Sequence, residues 1–104
     1  MFTPKVRTQQ TDLLMKALLC LQSEDDAYRF CEDVLTVQEL KSITQRLEVA
    51  VMLRRKVTYQ DIAKITGAST ATISRVNRSL LYGADGYQTV LNRLSQENAD
   101  IPTK

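Results

Sequence analysis

Every strong periodic signal in the chain is helical, with apolar residues recurring three and four positions apart. Thr3-Pro4 predicts the first start, with Thr as N-cap and Pro at the first helical position, where its missing N–H costs nothing. That helix is expected to run to about Gln22. Between Leu13 and Leu21 eight of nine residues are apolar, Lys16 being the exception. A surface helix carries an apolar stripe rather than an all-round coat, and a chain of 104 residues has little interior to hide one. A second copy of the chain is therefore expected to cover it, in an intertwined dimer.

Ser23 before Glu24, Asp25 and Asp26 marks a second start, with three carboxylates at the positive end of the helix dipole. Ala27, Phe30, Cys31 and Val34 form its apolar face, up to Leu35. Thr36 followed three residues later by Glu39 has the pattern of a capping box. The third helix is expected to bury Leu40, Ile43, Leu47, Ala50 and Val51 and to end near Arg54-Arg55-Lys56. Thr58 then caps a short helix, Tyr59 to Thr66. Gly67 stops it, and Ser69 caps a further helix to about Leu80. After the turn-rich Tyr82–Tyr87, a last helix presents Val90, Leu91 and Leu94. Residues 1–96 read as one all-α domain and 97–104 as a polar tail that frays.

Composition excludes several functions. The chain has no histidine, so histidine-based acid–base catalysis and histidine-containing zinc sites are impossible. Cys20 and Cys31 cannot complete a zinc cage, and both read as small buried hydrophobes. No glycine-rich phosphate loop is present. Neither an enzyme, a cofactor nor a metal is expected. With no membrane-length apolar run and no signal-peptide pattern, the expected location is cytoplasmic, with no membrane partner.

The net charge of +2 hides an asymmetry. From Arg54 to Leu80 six positive residues face one negative, a local +5, whereas the remainder stands at −3. A basic face on a small domain suits a polyanion; a solvated surface without a partner is the alternative. Two helices joined through a glycine-containing turn form a helix-turn-helix at about residues 58–80. Ala63 is small where the helices cross, and Ile62, Ile73 and Val76 supply the internal packing. Thr70, Ala71, Ser74, Arg75 and Arg78 are left facing outward. Small polar residues near the start of such a helix suit close approach to base edges in the major groove of double-stranded DNA. Lys64, Arg75, Arg78 and the Arg54–Lys56 run would hold phosphates, while Gln60, Ser69, Thr70, Ala71 and Ser74 would face bases or bridging water. A helical hairpin with a merely solvated polar face is the competing reading, as is a helical dimer that binds a protein.

The stretch Leu35–Leu80 resembles the Trp repressor family. The matching pieces are Leu35-Thr36 with Glu39, Arg46, Gly67-Ala68, Ala71–Arg75 and Ser79-Leu80. With its Tyr82–Tyr87 turn, the chain looks most like the YerC/YecD branch of Trp-repressor-related proteins. The resemblance implies a six-helix fold whose first helices interlock with a partner chain. It also implies two reading heads that enter successive major grooves, ~34–36 Å apart. In that family a corepressor carboxylate is held by two arginines, which match Arg46 and Arg75 here. Thr36, Thr72 and Ser79 match positions of the same pocket. Val76 departs from the family's tryptophan binders, which carry a glycine there. A branched side chain in that slot would overpack it by ~1–3 kcal/mol, so L-tryptophan binding is not expected. Arg46 and Arg75 are then left to hold another small carboxylate, or to serve phosphate contacts and interhelical ion pairs. Gln60 replaces an arginine that reads a base in the family. Glutamine pairs with adenine rather than guanine, so the DNA sequence recognised should differ.

Overall fold

The computed structural model describes residues 2–96. Six helices span them: α1 (Gln9–Leu19), α2 (Glu24–Val34), α3 (Val37–Arg54), α4 (Tyr59–Thr66), α5 (Thr70–Tyr82) and α6 (Gly86–Gln96). The all-α expectation holds, and no strand occurs among the described residues. None of these helices is long and apolar enough to cross a membrane. The tail expected to fray, 97–104, lies outside the described residues. Backbone contacts divide the chain into two compact units, Met1–Val37 and Gln38–Lys104.

In the first unit the helix start differs from expectation. Thr8, not Thr3, caps α1: its hydroxyl accepts from the Thr11 N–H at 3.0 Å, and the Thr11 hydroxyl accepts from the Thr8 N–H at 2.7 Å. This reciprocal pair satisfies two amides that a helix end otherwise leaves without partners. A helix capped by Thr3 would place Val6 at the third position, where no side chain could reach back. The helix also ends earlier, with Cys20 as C-cap. That cysteine is exposed and Cys31 half-buried, so neither is the fully buried hydrophobe expected. Ser23 caps α2 as predicted, accepting from the Asp26 N–H at 3.0 Å. Neither α1 nor α2 contains a buried residue. Leu13, Leu14, Met15, Leu18 and Leu19 are all exposed, Leu19 at 86%.

The second unit holds the core. Val49, Ala50, Val51 and Met52 of α3 join Ile62, Ala68, Ile73, Val76, Leu80 and Leu91 in one cluster, with Ala63, Tyr87 and Leu94 packed against it. Four consecutive buried residues mean that the C-terminal part of α3 is covered on all sides. The predicted α3 stripe is correct only for Ala50 and Val51. Ile43 and Leu47 are exposed at 45% and 37%, because the side chains from α4, α5 and α6 gather around residues 49–52 instead. On α6 Leu91 is buried and Leu94 half-buried, but Val90 is exposed.

Candidate nucleic-acid interface

α4 and α5 are built by local chemistry that the chain spells out. The Thr58 hydroxyl accepts from the Asp61 N–H and starts α4. Gly67 ends it with φ +76°, a left-handed conformation open to glycine without strain. The Gly67 N–H closes onto the Ala63 carbonyl at 2.9 Å. Two residues later the Ser69 hydroxyl accepts from the Thr72 N–H at 3.1 Å and starts α5. Ser69 is exposed, and its hydroxyl also donates to the Thr72 hydroxyl at 3.1 Å, so capping already employs it in both directions.

The two faces of α5 divide as helical spacing requires. Ile73, Val76 and Leu80 turn inward and are buried. Thr70, Ala71, Ser74, Arg75 and Arg78 turn outward and are exposed. Ala71, Ser74, Arg75 and Arg78 are linked by steps of three and four and therefore share one face. Its start, at Ala71 and Ser74, carries small side chains; guanidinium groups begin only at Arg75. Gln60 and Lys64 are exposed one turn apart on α4. Among the described residues, Lys64, Arg75 and Arg78 make no ion pair. Arg54 differs: its Nη2 donates to Asn92 Oδ1 at 2.9 Å.

The residues assigned to a small-molecule pocket are only partly brought together. Arg46 and Ser79 line one groove of about 530 Å³ with Ile43, Leu47, Tyr87 and Val90. Thr72, Arg75 and Val76 do not line it. Val76 is buried in the core, 2% exposed, and Thr72 is half-buried beside the Ser69 cap. Thr36 lies in the first unit, exposed, directly before α3. The interhelical ion pairs considered for Arg46 and Arg75 do not form among the described residues.

Two polar residues that hold the turn, Gln45 and Thr66, were not identified from the sequence. The Gln45 side-chain amide of α3 donates to the Thr66 carbonyl at 3.1 Å, across 21 positions of chain. The Thr66 hydroxyl donates to the Ile62 carbonyl at 2.8 Å and accepts from the Ala68 N–H at 3.1 Å. Thr66, at a helix end just before glycine, gave a weak local signal; Gln45 gave none.

Six helices with an α4–turn–α5 pair on a basic segment define a helix-turn-helix protein of the Trp repressor class. The family model for the Trp repressor protein matches residues 9–95, and the chain belongs to this family. The family is one of DNA-binding regulators rather than enzymes. The chain is 45% identical over 100 residues to the uncharacterized protein YerC of Bacillus subtilis, covering 96% of each. A TrpR-like protein of known structure from Eubacterium eligens is 58% identical, with a TM-score of 0.82 over 88% of this chain and 94% of that one. A candidate Trp repressor from Staphylococcus aureus is 43% identical, also with a TM-score of 0.82, over 96% and 95%.

Proposed function

We propose that this protein is a homodimeric, sequence-specific DNA-binding regulator that acts without tryptophan and represses by occluding the DNA it occupies. The observation that carries this reading is the outward face of α5, where the small side chains of Thr70, Ala71 and Ser74 precede Arg75 and Arg78, with Lys64 on α4. Cations with no carboxylate partner are available to phosphates, and short side chains let the start of the helix approach base edges closely. The apolar residues exposed on α1 support the homodimer, since contiguous exposed apolar surface of this kind marks an interaction site. Independence from tryptophan rests on Val76, whose buried side chain occupies the position that is glycine in the tryptophan-binding relatives.

Replacing Arg78 by Ala tests the phosphate assignment. Affinity should fall on every duplex alike, and the plot of log K against log salt should flatten by about 2 for a dimer that loses two phosphate contacts. An unchanged slope would remove Arg78 from the interface.

The groove holding Arg46 and Ser79 favours a second reading, a regulator gated by a different small carboxylate. Its walls are mostly apolar and its one guanidinium suits a carboxylate. A thermal-shift screen of amino acids and indole-like acids separates the readings, because a ligand that binds only the folded state raises Tm by mass action.

A further inference from the structure

We infer that Gln45 is a positioning residue for the reading head: its side-chain amide on α3 sets the orientation of the turn from which α5 is presented. The inference rests on the DNA-binding reading above. The last carbonyls of a helix have no partner within it and are met by water, by a tightened last turn or by a side chain. In α4 the terminal Thr66 carbonyl is met by the half-buried Gln45, at 3.1 Å. Water would satisfy that oxygen equally well, but it could not tie the turn to another helix.

From Thr66 onward each residue is held. The Thr66 hydroxyl bridges the Ile62 carbonyl and the Ala68 N–H, and the Gly67 N–H is bound to the Ala63 carbonyl. The Ala68 side chain is buried in the core, and Ser69 caps α5. Only three residues separate Thr66 from Thr70, the first residue of α5. A shift of the Thr66 carbonyl is therefore passed to Thr70, Ala71 and Ser74 with little slack. Gln45 carries no charge and is not on the outward face of α5, so its loss leaves the set of phosphate-binding cations intact. Discrimination between DNA sequences should suffer while charge-driven binding persists.

The test begins with a duplex enriched from a random library by the wild-type protein and a scrambled duplex of equal length. Gln45→Met keeps the side-chain length and removes the donor; Gln45→Glu offers only acceptors at neutral pH. Both variants should lower the ratio of selected to scrambled affinity about fivefold or more, in line with the loss of one hydrogen bond per head. Scrambled-duplex affinity and its salt slope should stay at wild-type values for Gln45→Met. Amide exchange at Gly67 and Ala68 should quicken in both variants while that of Val49–Met52 does not change. An unchanged ratio in both variants would overturn the inference and leave the DNA-binding reading standing. Unfolding of both would also overturn it, because Gln45 would then hold the fold rather than the head. Failure of the wild-type protein to bind any duplex would defeat the DNA-binding reading, and the inference with it.

Discussion

Val76 shows how much one side chain decides. It lies in the core cluster with Ile73, three positions before it on α5, and Ile62 on α4, and is 2% exposed. Replacing it by Gly removes a buried valine, worth about 1.5–3 kcal/mol, and adds about 0.5–1 kcal/mol for glycine within a helix. Denaturant unfolding should therefore show a loss of about 2–4 kcal/mol; less than 1 kcal/mol would mean that the slot is loosely filled. Calorimetric titration of the wild-type protein with L-tryptophan should give no binding isotherm, and micromolar binding would contradict the role given to Val76. The inward turn of Val76 was legible because its spacing from Ile73 is a local signal. Gln45 was not, because its partner stands 21 residues away and a lone glutamine on a helix looks like any solvated position.

Helix ends in this chain are set by capping residues. Ser23, Thr58 and Ser69 were readable as caps because each precedes a helical run, and each accepts from the backbone N–H three residues on. The start of α1 was misplaced because Thr3-Pro4 and Thr8 are both acceptable caps in isolation. Thr11 decides between them, and its hydroxyl does the work usually assigned to Glu or Gln at that position. Gly67 and Gly83 are required for different reasons. A Cβ at Gly67 would meet nothing within 4 Å, so Gly67→Ala should cost only the left-handed conformation, about 1–2 kcal/mol. At Gly83 a Cβ would lie 2.5 Å from the Ser79 carbonyl oxygen, which is backbone and cannot turn aside. Gly83→Ala should therefore lower Tm more than Gly67→Ala, and the reverse order would contradict the close approach at the end of α5.

At the scale of the whole molecule, burial is one-sided. Among the described residues, all ten buried hydrophobic residues lie between Val49 and Leu91, whereas α1 and α2 bury none. The sequence announced this through its apolar run at Leu13–Leu21, and the same reasoning extends to Ile43 and Leu47. Those two were assigned to the core because periodicity reports which face is apolar, not what covers it. Replacing Leu14 and Leu18 together by Gln should shift sedimentation at micromolar concentration from dimer to monomer. A variant that remains dimeric would remove α1 from the subunit interface.

The most direct test of the account is equilibrium binding of the purified protein to random duplex DNA across a salt series, with no small molecule added. Lys64, Arg75 and Arg78 on each of two heads would engage six phosphates, so log K should fall with log salt at a slope of about −5. No retention of duplex even at low salt, or retention only after a small carboxylate is supplied, would contradict it.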